Sequence, residues 1–135
     1  MSQFSSLEMC APAGGQALGL EMAGFDHSAL IELEPPACAT LRLNRPECNV
    51  IEGDLREFDG RPYQGIDLLA GGVPCPPFSK AGKQLGAKDE HDLFPEALRL
   101  VDEFRPQSVM FENVHGLLDD VLDDYRNKVE KQLKN

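Results

Sequence analysis

The sequence predicts an α/β fold with a parallel, doubly wound sheet. Along the 135 residues, five short apolar runs alternate with segments of helical periodicity, which is the pattern of strand–helix–strand units. Glycine, proline or an acidic residue lies at the end of each run or within two residues of it. The 41% hydrophobic content is ordinary for a globular domain, and we find no internal repeat, low-complexity segment or linker. The chain is therefore interpreted as one domain.

The first half of the chain carries two strand–helix pairs. Residues 4–10 predict a strand, and the turn PAGG leads into a helix over residues 16–23 that Gly24 closes. Residues 28–33 predict the second strand. The helix predicted at residues 35–43 begins with two prolines, which suit a first turn because the N–H groups there have no helical partner.

The second half continues the alternation. A short third strand is predicted at residues 49–51, and IDLLAGG, residues 66–72, predicts a fourth that ends in glycine. Residues 93–104 have apolar positions at helical spacing and a proline in the first turn. A fifth strand at 108–111 precedes a polar helix at 119–133, whose early aspartates suit the positive end of the helix dipole.

Composition limits the classes of function. The formal net charge of −10 argues against a free-standing nucleic-acid binder, because such proteins neutralise phosphates with basic side chains. No apolar run reaches the ~20 residues of a membrane span, and no secretory signal is visible, so we expect a cytoplasmic protein. The four cysteines form no C-x-x-C pair, which predicts neither a zinc site nor a disulfide framework. They are Cys10, Cys38, Cys48 and Cys75.

Three successive strand ends carry the elements of an adenosine site. Gly14 and Gly15 follow the first strand, where a helix N-terminus offers free N–H groups. Glu32 ends the second strand at about the spacing that places a carboxylate on ribose hydroxyls. Asp54 follows the third strand and could accept from an adenine amino group. Alone, each is an ordinary turn or a surface carboxylate; in this order they predict a nucleotide site, because parallel sheets bind ligands at the carboxyl ends of strands.

The fourth strand leads into PCPPFS, where prolines surround a single thiol. Proline fixes φ and removes a hydrogen-bond donor, so this loop is stiff and can hold Cys75 towards a pocket. Glu112, Asn113 and Val114 end the neighbouring strand and would place a carboxylate and an amide beside the thiol. The alternative is a buried cysteine and a helix-capping Glu-Asn pair.

This constellation resembles the cytosine-C5 DNA methyltransferases across nearly the whole chain. The resemblance implies a Rossmann-like S-adenosylmethionine-dependent methyltransferase fold. It implies as catalytic residues Cys75, Glu112 and Asn113. It implies as cofactor-binding residues Cys10, Ala11, Pro12, Ala13, Gly14, Gly15, Glu32, Leu33, Asp54, Leu55, Pro74 and Leu93. It implies as substrate-binding residues Pro74, Ser79, Lys80, Lys83 and Val114, with double-stranded DNA as the partner and no metal.

The resemblance also implies a mechanism. The Cys75 thiolate adds to C6 of cytosine, Glu112 binds N3, and C5 takes the methyl group of S-adenosylmethionine. Asn113 positions Glu112 and the loop. The cytosine must leave the stacked duplex first. Lysines in the loop after Cys75 would contact phosphates despite the acidic total charge.

Two departures from the family pattern qualify these expectations. Pro12 stands where the cofactor loop usually has glycine, which either weakens binding or is a tolerated variant. The chain also stops at Asn135, after the helix that follows the fifth strand. We therefore expect residues 1–135 to be the N-terminal half of the catalytic domain, without the target-recognition domain and C-terminal motifs, and inactive alone. The cut sheet edge then predicts self-association or a complementary chain.

Other functions stay open from the sequence. A tRNA cytosine-C5 methyltransferase uses a similar Pro-Cys and ENV pair. A non-catalytic, cofactor- or partner-binding half of a split or degraded methyltransferase fits the truncation and Pro12. A nicotinamide dehydrogenase would need a fuller G-x-G-x-x-G motif and would leave PCPPFS unexplained.

Overall fold

The computed structural model describes residues 4–74 and 92–134, and it contains a five-stranded sheet with helices on both faces. Every strand pair is parallel, and the strand order is β3-β2-β1-β4-β5. The predicted doubly wound α/β fold is confirmed. The strands are β1 Phe4–Met9, β2 Phe25–Glu32, β3 Val50–Glu52, β4 Leu68–Gly72 and β5 Ser108–Glu112. The helices are α1 Gly15–Met22, α2 Pro35–Asn44, α3 Phe94–Phe104 and α4 Asp123–Leu133.

Several predicted boundaries were wrong. The second strand begins at Phe25, three residues early, because Phe4 pairs with Phe25 from the first residue of β1. It ends at Glu32, so Leu33 lies beyond the sheet and is exposed. The third strand is one residue later than predicted, and the fourth starts at Leu68. The last helix starts at Asp123 because residues 120–122 form a separate 3₁₀ turn.

The core lies on both faces of the sheet because successive strand residues point to opposite sides. On one face, Leu7, Met9 and Leu69 are fully buried against α3, whose Leu100 and Phe104 are also fully buried. On the other face, α1 and α2 cover the sheet through smaller clusters. These contain Ala11, Ala17, Leu30 and Leu41, and Leu20, Leu68 and Ala70.

The centre of the sheet joins two segments that are distant in sequence. Ser5 donates its N–H and its hydroxyl to the Asp67 carboxylate, at 2.7 and 2.9 Å, which fixes the start of β1 beside β4. Further along, a Cβ on Gly71 would lie 2.6 Å from the Met9 carbonyl oxygen. Only glycine permits this approach. The chain order reverses between β1 and β4, and such a switch point is where open parallel sheets bind ligands.

Two further features frame the site. Arg99 of α3 donates to the backbone carbonyls of Leu55 and Phe58, at 2.9 and 3.1 Å, and so ties the segment after β3 to the helix. At the sheet edge, β5 alternates between exposed and partly buried residues, and Met110 is 40% exposed.

Within the described residues, no helix is long and apolar enough to span a membrane and no acidic, His or Cys cluster could hold a metal.

Candidate functional site

The carboxyl ends of the strands meet at one edge because their registers are aligned. Met9 of β1 pairs with Ile31 on one side and with Gly71 on the other. Beyond them, Glu32 pairs with Glu52, and Gly72 pairs with Glu112. The residues at and just beyond the strand ends therefore lie next to one another. Within the described residues they include the predicted site residues, except Leu93, which directly precedes α3.

The segment after β1 is a tight turn that accommodates its proline. The Gly14 N–H donates to the Ala11 carbonyl at 2.8 Å, which closes a four-residue turn. Pro12 occupies the second position, where its fixed φ suits a turn and no N–H is needed to close it. Gly14 has a φ of 85°, which favours glycine, and Cys10 adopts a left-handed φ of 55°. Pro12 is therefore compatible with the loop's own geometry.

A cleft of about 340 Å³ opens between this turn and the ends of β2 and β3. Glu32, which is 7% exposed, borders it and accepts from the N–H groups of Leu33 and Glu34 at 2.8 and 2.9 Å. These two donors fix the orientation of the carboxylate. The predicted cofactor residues that line this cleft are Cys10, Pro12, Glu32, Leu33, Asp54, Leu55, Pro74 and Leu93.

Asp54 faces the same cleft but is engaged by its neighbour Arg56. Its Oδ1 accepts from the Arg56 N–H at 2.9 Å, and its Oδ2 accepts from the guanidinium at 3.0 Å. These hydrogen bonds lower the pKa of Asp54, with the backbone N–H as the main cause, and keep it ionised. The guanidinium contact is a partly exposed ion pair, which contributes little and can be exchanged for a ligand donor.

A second cavity, of about 500 Å³, lies between the glycine turn and the end of β5. The predicted residues Ala11, Ala13 and Gly15 line it together with Glu112. Two further side chains, Glu8 and Gln16, also border it, and each has a buried oxygen, Oε2 and Oε1 respectively, without a hydrogen-bond partner among the described residues. Both oxygens are therefore available to a hydrogen-bonding partner, either a ligand or a water molecule.

Glu8 is the most unusual group in this cavity. It is 1% exposed, and burial raises its pKa from 4.5 to about 7 despite the nearby Arg45 guanidinium. Arg45 is itself buried, donates to Glu21 of α1 at 2.8 Å, and lies beneath Gly14. Glu8 is not among the site residues predicted from the sequence. The available signal was a charged residue in the middle of an apolar strand, flanked by Leu7 and Met9.

Cys10 borders both cavities, but its environment does not activate it. Burial raises the pKa of the Cys10 thiol to about 11, and the Glu32 and Glu8 carboxylates add to the effect. A thiol in this state is a poor nucleophile. The predicted nucleophile, Cys75, lies outside the described residues, as do Ser79, Lys80 and Lys83.

Asn113 connects the end of β5 to the segment that precedes Cys75. Its Nδ2 donates to the Val73 carbonyl at 2.7 Å, and its Oδ1 accepts from the Val114 N–H at 2.9 Å. Both polar atoms of the Asn113 side chain are therefore hydrogen-bonded to backbone groups. Glu112, the last residue of β5, borders the second cavity, whereas Val114 is 69% exposed.

A comparison with protein families supports the grouping of these site residues at the strand ends. Residues 4–135 match the family described as C-5 cytosine-specific DNA methylase. The chain belongs to this family. The predicted resemblance is confirmed, and membership implies S-adenosylmethionine as the cofactor. Relatives of this methylase chain include the Type II methyltransferase M.NgoMIV of Neisseria gonorrhoeae, 70% identical over 130 residues. M.NaeI of Lentzea aerocolonigenes is 49% identical over 138 residues.

The methylase chain spans only part of these relatives. The match to M.NgoMIV covers 96% of this chain and 42% of that protein, and the match to M.NaeI covers 100% and 33%. Among solved structures, one similar protein is described as a DNA modification methyltransferase of an Escherichia coli prophage. It has a TM-score of 0.80 at 25% identity, and the match covers 98% of this chain and 38% of the prophage protein. A DNMT2 variant of Spodoptera frugiperda has a TM-score of 0.77 at 22% identity, covering 98% and 41%, which supports the fold alone.

Proposed function

We propose that this chain supplies the cofactor site and the catalytic loop of a bacterial DNA cytosine-C5 methyltransferase. The observation that carries the proposal is the alignment of the glycine turn, Glu32, Asp54 and Glu112 at the switch point of a parallel sheet. Family membership favours DNA over tRNA as the substrate. We further propose double-stranded DNA as the partner and the bacterial cytoplasm as the location, as suits a restriction–modification enzyme.

The chemistry of the described residues supports an S-adenosylmethionine site. Adenosine fits the first cleft, with Glu32 on the ribose hydroxyls and Asp54 on the adenine amino group. The amino-acid end fits the second cavity, where the orphaned oxygens of Glu8 and Gln16 would accept from its ammonium group. Gly14 and Gly15 leave room for the ligand beside the α1 N-terminus.

S-adenosylmethionine supplies the methyl group when bound. In the proposed reaction the Cys75 thiolate forms a bond to C6 of a flipped cytosine, and the electron pair of the C5–C6 double bond moves to C5. The protonated Glu112 carboxyl donates a hydrogen bond to N3 and so stabilises the negative charge that develops on the ring. After methyl transfer a base removes the C5 proton, the double bond reforms, and the thiolate leaves.

Asn113 has a positioning role in this proposal. It fixes the Val73 carbonyl two residues before Cys75, so the end of β5 sets where the catalytic loop begins. Pro74 and Val114 flank this contact and would border the base, while Ser79, Lys80 and Lys83 would contact DNA phosphates. Asn113→Asp, which loses the donor to Val73, should impair this placement more than it impairs cofactor binding.

Calorimetric titration with S-adenosylhomocysteine tests the cofactor site. We expect micromolar binding by the chain and loss of binding in Glu32→Ala, because the ribose would lose its acceptor. Glu47→Ala is the matched control, since Glu47 is exposed and lies outside both cavities. Absence of binding by the unmodified chain would contradict the proposal, and so would equal binding by both variants.

We also propose that a further polypeptide segment covers β5. The strand lies at a sheet edge, and its Met110 is 40% exposed, which is an apolar surface suited to pairing. Residues 1–135 would then act as the N-terminal half of the catalytic domain, with β5 covered by a second copy or by another polypeptide segment. Multi-angle light scattering tests the second copy: a monomer at high concentration would exclude self-association.

A further inference from the structure

A buried carboxylate outside both cavities ties three elements together. Asp92 is 8% exposed and lies one residue before Leu93. Its Oδ1 accepts from the Phe94 N–H at 3.0 Å at the start of α3. The Tyr125 hydroxyl of α4 lies 2.8 Å from Oδ1 and 2.9 Å from Oδ2. Donors to a buried carboxylate form stronger hydrogen bonds than neutral pairs do, so this contact fixes the backbone at Asp92.

Aromatic packing reinforces the same junction. The Phe94 ring contacts Tyr125 edge to face at 5.9 Å and 83°, and it contacts Phe111 of β5 at 6.2 Å and 79°. Phe94 is 4% exposed. The start of α3 is therefore held between α4 and the fifth strand, with both a polar and an apolar contact to Tyr125.

This junction determines where one wall of the adenosine cleft lies. Leu93 and Pro74 both border the cleft, opposite the ends of β2 and β3. Leu93 follows Asp92 directly, and its N–H donates to the Pro74 carbonyl at 3.4 Å. A shift of Asp92 would therefore move Leu93 and change the width of the cleft.

We propose that Asp92 and Tyr125 are positioning residues for the cofactor site, which hold Leu93 against the ligand from outside the cleft. The inference rests on the proposed cofactor binding. It makes α4 part of the binding apparatus, although Tyr125 touches neither cavity of the site. The sequence around Tyr125 does not indicate this contact, because its partner lies 33 residues earlier.

The protein's own composition provides a matched test. It has two tyrosines and no tryptophan, and the second tyrosine, Tyr63, packs against Phe58 and Phe104 away from the cleft. Tyr125→Phe and Tyr63→Phe remove the same hydroxyl from two sites. We expect Tyr125→Phe to weaken S-adenosylhomocysteine binding about five- to tenfold, the equivalent of about 1–1.4 kcal/mol, and Tyr63→Phe to change it less than about twofold.

Two further measurements separate positioning from general stability. Asp92→Asn keeps an acceptor for both donors and should bind within about threefold of the unmodified chain, whereas Asp92→Ala should lose tenfold or more. In Tyr63→Phe, tyrosine emission comes from Tyr125 alone, and we expect ligand addition to change it. In Tyr125→Phe the ligand-induced change should disappear.

The outcomes are distinct. If the unmodified chain binds the ligand and Tyr125→Phe binds equally well, even with a lower melting temperature, the positioning role is refuted and the proposed function stands. Unchanged Tyr125 emission on binding would refute it too. If the unmodified chain does not bind, the proposed function fails and this inference fails with it.

Discussion

Replacing Glu8 by glutamine should stabilise the protein at neutral and alkaline pH. Glu8 is 1% exposed, and burial raises its pKa from 4.5 to about 7. Because the folded-state pKa is the higher one, the folded protein holds a proton that the unfolded chain releases between these values. The stability that this provides is complete below pH 4.5 and is lost as pH rises to 7.

The size of the effect follows from the two pKa values. The difference between 4.5 and about 7 corresponds to about 3 kcal/mol at about 1.4 kcal/mol per pKa unit. Glutamine resembles the protonated carboxyl and does not ionise. Glu8→Gln should therefore raise the free energy of unfolding by about 2–3 kcal/mol at pH 8 and by less than about 0.5 kcal/mol at pH 4.5.

Urea denaturation followed by far-UV circular dichroism at pH 4.5, 6, 7 and 8 measures this difference. Glu47→Gln, at an exposed carboxylate, is the control and should follow the unmodified chain throughout. The attraction of Arg45 and the repulsion of Glu21 are already included in the shifted pKa of Glu8, so the expected difference contains both. Parallel stability curves for Glu8→Gln and the unmodified chain from pH 4.5 to 8 would refute the reasoning.

Three other substitutions have defined outcomes, two of them with a control variant. Gly14→Ala should lower the free energy of unfolding by about 1–3 kcal/mol, because Gly14 has a positive φ and an added Cβ would contact the Arg45 guanidinium. Gly19→Ala is the control in open space within α1 and should raise the free energy of unfolding by up to about 1 kcal/mol; thermal melts measure both changes. Asn113→Ala should cost about 0.5–1.5 kcal/mol in urea titrations, and no loss would contradict its bridging bond. Arg99→Ala should cost about 2 kcal/mol or more because two carbonyls lose their donor, against about 0.5 kcal/mol for Arg42→Ala at an exposed ion pair.

Local patterns were sufficient to predict the elements and their order. Glu32 and Glu112 lie at the predicted strand ends, and both are found at one edge of the sheet because parallel strands end on the same side. The predicted strand boundaries were less accurate where pairing with a neighbouring strand sets the boundary. Phe25, for example, belongs to β2 because it pairs with Phe4 of β1.

The sequence did not predict contacts between residues that are distant along the chain. Nothing near Asp92 indicates that Tyr125 donates to it, and nothing near Gly14 indicates that Arg45 lies beneath it. Glu8 is a different case. The sequence shows a charged residue within an apolar strand, but it does not show that the pKa of this residue is raised. Desolvation depends on the packing that buries the carboxylate, which only the fold supplies.

The strand order also dictates when the site can exist during folding. Ser5 meets Asp67 across 62 residues of chain, so joining β1 to β4 closes a loop whose entropy costs on the order of 4 kcal/mol. On a ribosome, β1 and β2 can pair early, but the crevice needs β4 to have emerged. Binding competence is therefore acquired only after β4 has been synthesised, and until then the nascent β1 has an open side that a chaperone could occupy.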